Sequence, residues 1–207
     1  MARALVLGGL TTGFHPFWIN GPAIRAAIAP AGFDLFLSED LEILATDGLR
    51  HYDLLVNYTT GRNLTPDQWA GLERFVRSGG GLLGIHNAAD TFKNVPEYRA
   101  MLGGRFVSHP PQLDIAVTHV DPDHPITAGM PRFTVHDELY LLDWMPERVQ
   151  LLSETHSHEG RSVPVLWVRS EGNGRVVYHS LGHNRETLEA PEVQQILQRA
   201  ARWAAKL

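Results

Sequence analysis

The sequence predicts an α/β fold in which helices flank a mostly parallel central sheet. Short apolar runs alternate with amphipathic helical segments up to residue 86, an order typical of parallel strands joined by right-handed crossovers. The runs are continuously apolar rather than alternating, which is typical of strands buried on both faces.

The elements of the first half can be placed in order. A helix is predicted over Pro22 to Ala29, with Asn20 as a candidate cap, and a short turn or helix over Leu41 to Leu44. The predicted strands are Ala4 to Gly8, Phe33 to Leu37, Tyr52 to Asn57 and Leu82 to Ile85.

The segment Thr65 to Arg77 carries the strongest helix signal. Thr65 is a candidate N-cap, Pro66 occupies the first helical position and Gln68 completes a capping-box pattern.

The second half is less regular. Three prolines between residues 122 and 131 indicate a loop-rich connection. Absence of a linker or repeat favours a single domain over residues 1–207. The predicted elements are a short helix over Pro96 to Leu102, strands over Leu113 to Val120, Val149 to Glu154, Val163 to Arg169 and Arg175 to Ser180, and a final helix over Pro191 to Ala205.

Composition and charge exclude several classes of function. The net charge of −5 argues against a protein that binds nucleic-acid backbones. The absence of cysteine excludes disulfides, thiolate metal sites and a cysteine nucleophile. We expect no nucleotide cofactor, because the glycine-rich stretches lack the spacing of phosphate-binding loops. With no predicted signal peptide or membrane span, we expect a cytoplasmic protein without a membrane partner.

Three of the eleven histidines follow predicted strands. His15, His86 and His183 come shortly after apolar runs that end in glycine-containing turns. Because the carboxyl ends of parallel strands share one edge of a sheet, we expect the three to converge there. Imidazole is a common metal ligand and titrates near neutral pH. The alternative is that each only makes hydrogen bonds at its own strand end.

His86 lies in a Gly-Ile-His sequence that resembles the tight elbow at which other α/β enzymes display a nucleophile. Imidazole at such a turn is better suited to act as a general base or a metal ligand than as a nucleophile. Asp90 could accept a hydrogen bond from the imidazole and fix its tautomer, or it could cap the turn.

Polar residues in the longer loops complete the candidate site. Glu138 is a candidate metal ligand or general base, and His109 precedes a proline that would hold it in place. We expect catalytic roles for His86, His183, Glu138 and Asp90, metal binding by the three histidines, and substrate binding by His109, Asp137, Asn184 and Trp18.

The remaining histidines are assigned to the surface or the core. A homodimer is suggested by three aromatic residues in loop-like segments, although pocket walls are an equally good use for them. The histidines are His51, His119, His124, His136, His156, His158 and His179, and the aromatic residues are Trp18, Phe133 and Trp144.

Several segments, taken in order, resemble the trehalose-utilisation (ThuA-like) family. The resemblance implies a class I glutamine-amidotransferase-like fold, which is a flavodoxin-like three-layer sandwich. His86 matches the elbow position that holds cysteine in amidotransferases, and His183 resembles their terminal histidine, so glutaminase activity is not expected. The segments are Gly84 to Phe92, Leu102 to Phe106 with His109-Pro110, Asp121 to Ile126, Asp137 to Tyr140, Pro164 to Trp167, and Gly174 to Tyr178 with Leu181 to Asn184.

The family resemblance implies a role in the catabolism of trehalose, related disaccharides or their keto-sugar forms, with a metal in some members. One hypothesis is a metal-assisted enzyme that acts on a small carbohydrate by isomerisation, elimination or hydrolysis. Zinc, manganese or iron would suit nitrogen and carboxylate ligands. The alternative hypothesis is a non-catalytic sugar-binding or assembly module that has lost the amidotransferase cysteine.

Overall fold

The computed structural model describes residues 1–9, 13–157 and 160–207. Over these residues it has an α/β fold with a nine-stranded mixed sheet and a separate two-stranded sheet. The strands are β1 (Ala2–Leu7), β2 (Phe33–Ser38), β3 (Leu54–Asn57), β4 (Gly81–Ile85), β5 (Gly104–Ser108), β6 (Leu113–His119), β7 (Phe133–Asp137), β8 (Leu141–Trp144), β9 (Gln150–His156), β10 (Ser162–Glu171) and β11 (Gly174–His179). The helices are α1 (Phe17–Ile28), α2 (Pro66–Arg77), α3 (Pro96–Leu102), α4 (Arg185–Glu189) and α5 (Pro191–Ala204), with short 3₁₀ helices between some of the elements.

The large sheet has the strand order β2-β1-β3-β4-β11-β10-β9-β6-β7. Its first five strands, β2 to β11 in this order, are parallel. They follow the 2-1-3-4-5 order of doubly wound flavodoxin-type sheets, with β11 in the fifth position. The other four are joined by antiparallel pairings. The prediction of a mostly parallel sheet was therefore wrong for half of it. Short hairpin connections such as Glu171 to Gly174 force neighbouring strands to run in opposite directions.

Helices cover both faces of the parallel half. Successive residues of β4 show this, because Leu82 packs in the core beneath α2 and α3, while Leu83 packs in the core beneath α1 and α5. A strand buried on both faces needs apolar side chains at every position. This explains the continuous apolar runs in the sequence.

The start of α1 differs from the prediction. The helix begins at Phe17 and continues through Pro22, and Asn20 is buried within it instead of capping it. Phe17 packs so closely over Gly8 that a Cβ there would lie 2.0 Å from the ring. These tertiary contacts override the usual preference of proline for the first turn.

Several elements were not anticipated. β5, β7, β8 and α4 were not predicted as helices or strands. The description of Trp18, Phe133 and Trp144 as residues of loop-like segments was also wrong. Trp18 lies on α1, Phe133 on β7 and Trp144 on β8. In contrast, the capping box of Thr65 and Gln68 is present at the start of α2.

Helix length and hydropathy give no candidate for a membrane span among the described residues.

Gly71 provides a test of how α2 is packed. A Cβ at this position would lie 1.7 Å from the carbonyl oxygen of Leu44. In an open helix, Gly→Ala stabilises by up to about 1 kcal/mol. Here we expect Gly71→Ala to lower the free energy of unfolding by about 1–3 kcal/mol, because backbone atoms must move apart. Urea denaturation measures the change, and an unchanged or higher midpoint would contradict the close packing.

Candidate functional site

Three histidines meet at the carboxyl edge of the parallel strands. His15 follows β1, His86 follows β4 directly and His183 follows β11. Their ring centroids lie 5.0 Å apart for His15–His86 and His15–His183, and 5.5 Å apart for His86–His183. With Glu138, each residue offers one ligand atom, and these four atoms lie within 4.8 Å of one another. We call these four residues the histidine–glutamate cluster.

His86 lies at the sharp turn that its sequence predicted. Its φ of +43° is unusual for a residue with a side chain, and it begins a 3₁₀ helix over His86–Ala89. Its Nδ1 lies 2.7 Å from the carbonyl oxygen of Ser180, which can only accept, so Nδ1 carries the proton. Nε2 therefore presents its lone pair to the cluster, 3.4 Å from Glu138 Oε2.

Of the two alternatives for Asp90, the hydrogen bond that would fix the tautomer of His86 is not made, because the carbonyl of Ser180 occupies that position. A catalytic role for Asp90 stays a prediction. The carboxylate of Asp90 instead pairs with Lys93, at 2.5 Å.

His15 is held neutral by its surroundings. Burial, together with the nearby imidazoles of His86 and His183, lowers its pKa to about 3. Its Nδ1 lies 3.0 Å from Thr60 Oγ1, and its Nε2 lies 3.2 Å from Nδ1 of His183. A neutral imidazole fixed by a hydrogen bond at one nitrogen is suited to ligate a metal through the other.

Glu138 and His183 form the closest carboxylate–imidazole pair of the cluster. Their Oε2 and Nδ1 atoms lie 3.1 Å apart. Burial acts to raise the pKa of Glu138, but the hydrogen bond from His183 outweighs it and holds that pKa well below its usual range. Burial acts to lower the pKa of His183, but the Glu138 carboxylate outweighs it and raises that pKa. The carboxylate is therefore ionised and faces nitrogen atoms on one side.

Asp137 makes structural hydrogen bonds, and its predicted substrate contact stays a prediction. It is fully buried and accepts hydrogen bonds from the backbone N–H groups of Gly182, at 2.7 Å, and of Glu138, at 2.7 Å. The N–H of His183 is also directed to this carboxylate, at 3.3 Å. Asp137 therefore fixes the loop that carries His183 relative to the loop that carries Glu138.

His109 lies at the edge of the cluster. Its Nε2 is 3.7 Å from Glu138 Oε1, and 37% of its side chain is exposed. Its Nδ1 lies 2.8 Å from the carbonyl oxygen of Pro110, so Nε2 is the basic nitrogen. His109 is therefore placed to exchange protons between the cluster and solvent or a ligand.

Of the other two predicted substrate-binding residues, Asn184 has a structural contact, whereas Trp18 is mostly exposed. Asn184 caps α4 by accepting from the N–H of Thr187, at 2.9 Å. Trp18 lies on α1 and is 78% exposed. Phe14, shortly before this helix, is 71% exposed. A substrate contact by either residue stays a prediction.

Several residues that contact the cluster or its loops were not predicted from the sequence. Tyr140 packs against the ring of His86, with centroids 3.9 Å apart. Tyr58 donates to the carbonyl of Gly182, at 2.8 Å, and accepts from Asn20. Asn87 donates to Thr60, which holds His15. Tyr58 and Thr60 come directly after β3. The expectation that residues after parallel strands share one edge of the sheet would therefore have identified them as well.

The four residues of the cluster fit a divalent metal ion. Among the described residues, the buried Nε2 of His86 has no hydrogen-bond partner, although burying such an atom unpaired is costly. Three imidazole nitrogens and one carboxylate oxygen suit zinc, manganese or iron.

The sequence profile described as ThuA, trehalose utilisation, matches residues 3–204. The chain belongs to the ThuA family. No curated protein sequence matches it at a significant level.

Solved structures with this fold include two ThuA-like proteins. The one from Parabacteroides merdae has a TM-score of 0.87 and 20% identity, over 99% of this chain and 90% of that protein. The one from Bacteroides uniformis has a TM-score of 0.78 and 23% identity, over 98% and 91%. A protein from Salmonella typhimurium described as cytoplasmic has a TM-score of 0.71 and 14% identity, over 98% and 99%. At these identities the likeness shows the fold.

Other histidines are outside the cluster. His158 lies outside the described residues. His179 is fully buried on β11, with Nδ1 3.2 Å from the carbonyl oxygen of Leu181. Burial, only partly offset by this hydrogen bond, lowers its pKa to about 4.

His179 should make stability depend on pH. The unfolded chain takes up a proton at this residue near pH 6.5, whereas the folded chain does so only near pH 4. Protonation therefore favours unfolding between these values. The stability of the wild type relative to His179→Gln should fall as the pH falls from 6.5 towards 4, by up to about 1.4 kcal/mol per pH unit. Urea denaturation of both proteins between pH 7.5 and pH 5 measures it, and parallel pH profiles would contradict the assignment.

Proposed function

We propose that this protein is a divalent-metal-dependent enzyme of carbohydrate catabolism that acts on a disaccharide or keto-sugar. The observation that carries the proposal is the largely buried cluster, in which three imidazoles and one carboxylate place one ligand atom each within 4.8 Å of one another. Membership of a family described by trehalose utilisation supports a sugar as the substrate. A cytoplasmic location is part of the proposal, supported by the description of the Salmonella neighbour.

His15, His86, His183 and Glu138 are the proposed metal ligands. A divalent ion bound by them would polarise a carbonyl or hydroxyl oxygen and lower the pKa of a bound water. The carbonyl of Ser180 and the hydroxyl of Thr60 orient two of the imidazoles, which such ligands generally require.

His109 is the proposed proton-transfer residue. Its Nε2 faces Glu138 Oε1 while part of the ring remains exposed, so a ligand at the cluster can reach it. It would accept a proton from a sugar hydroxyl or ring carbon in one step and return it to the leaving oxygen or carbon in another. The burial of His86 and the low pKa of His15 make these two histidines poor candidates for the same task.

Metal content is the first test. Wild-type protein should bind a stoichiometric amount of a divalent ion, measured by elemental analysis after exposure to zinc, manganese or iron. His86→Ala and His183→Ala should each weaken binding by at least about 100-fold, which exceeds the effect of losing a group that only supports a ligand.

His136→Ala is the matched control for metal binding. His136 is an exposed histidine on β7 that pairs with Asp114, and it should retain wild-type metal content. Wild-type protein that binds no metal but still binds a disaccharide would overturn the proposal and favour the non-catalytic module.

Proton transfer by His109 is tested separately. His109→Ala should retain metal, yet lower the turnover of trehalose or its keto derivatives by about 10²–10⁴-fold, the usual contribution of a general acid or base. Added imidazole should restore part of kcat, because the side chain is partly exposed. Product chromatography measures turnover. A variant that keeps wild-type kcat would exclude the assigned role.

A further inference from the structure

A groove of about 830 Å³ runs beside the cluster, along the antiparallel half of the sheet. Its lining includes His109 and Leu139, and Leu139 is the neighbour of Glu138 in sequence. Its volume lies within the range of roughly 300–1,000 Å³ that is common for small-molecule sites. The groove is therefore a second space that adjoins the proposed site at His109, whose Nε2 lies 3.7 Å from Glu138 Oε1.

The groove exists because two strands of the sheet separate. β6 pairs with β9 only at Thr118↔Glu154 and His119↔Ser153. Beyond that point, residues Leu113 to Val117 of β6 pair with β7, while the end of β9 pairs with β10. Asp114, Ala116 and Thr118 alternate along β6 and line one wall of the opening.

The lining of the groove indicates a neutral, polyhydroxylated ligand. Hydroxyl groups come from Ser108, Thr155 and Ser162. The hydroxyl of Ser162 donates to Glu154, so it is left to accept from a sugar hydroxyl. Trp144, from β8, offers an aromatic surface against which the C–H groups of a sugar ring can pack. Asp114 carries a negative charge and Arg161 a positive one, so the lining does not favour a phosphorylated or strongly charged ligand.

We propose that this groove binds the second ring of a neutral disaccharide or glycoside whose first ring lies at the histidine–glutamate cluster. The inference rests on the proposed function, because it places the reacting part of the sugar beside His109. The groove then determines the preference for glycosides over monosaccharides. Ala116 is a specificity-determining position, since its exposed side chain faces this space.

Binding of sugars to the metal-loaded protein tests the inference. Isothermal titration calorimetry would compare trehalose, maltose and sucrose with glucose. At least one disaccharide should bind the wild type about tenfold or more tightly than glucose. Ala116→Trp, which fills the groove, should reduce that ratio to about one and leave the Kd for glucose and the metal content unchanged. Ala70→Trp, on the exposed face of α2, is the matched control and should change neither.

The outcomes separate this inference from the proposed function. Equal affinities for glucose and all three disaccharides, or an unchanged ratio in Ala116→Trp, would overturn the groove assignment. If the wild type binds no metal but retains a disaccharide preference that Ala116→Trp removes, the proposed function fails and the groove assignment stands.

Discussion

The candidate site depends on the buried carboxylate of Asp137. It accepts hydrogen bonds from the backbone of Gly182 and of Glu138, which belong to loops after different strands. One loop follows β11 in the parallel half, and the other follows β7, the last strand of the antiparallel half. The three histidines lie at the parallel half of the sheet, whereas β7 is at the far edge of the antiparallel half. The strand order alone therefore does not place Glu138 beside them. A carboxylate can do this because it accepts several N–H groups at once.

The charges of the cluster follow from that placement. One ionised carboxylate is set among three imidazoles that are partly or fully buried. Burial lowers the pKa of His15, whereas Glu138 outweighs burial and raises the pKa of His183, so these two pKa values shift in opposite directions. The result is an ionised carboxylate that lies beside the unprotonated nitrogens of His15 and His86. Such a site attracts a cation more strongly than a set of neutral imidazoles would.

The sequence predicts the parts of this arrangement that follow from local periodicity and topology. His15, His86 and His183 could be expected together because the ends of parallel strands share an edge. The capping box at Thr65 depends on neighbouring residues only, and it is present. The antiparallel strands, the continuation of α1 through Pro22 and the contact between Asp137 and Gly182 could not be predicted in the same way. Each depends on residues far apart in the chain, which no local pattern records.

The positions of the cluster residues along the chain have a consequence for folding. His15 and His183 are 168 residues apart, and the loops of His86 and Glu138 lie between them. Contacts this distant in sequence carry a large loop-closure entropy and form late when a chain folds. A ligand bound to all four residues would therefore hold the two ends of the chain together and stabilise the whole native state rather than one segment of it. The site would act as a long-range cross-link, a role that disulfides cannot have in a chain without cysteine.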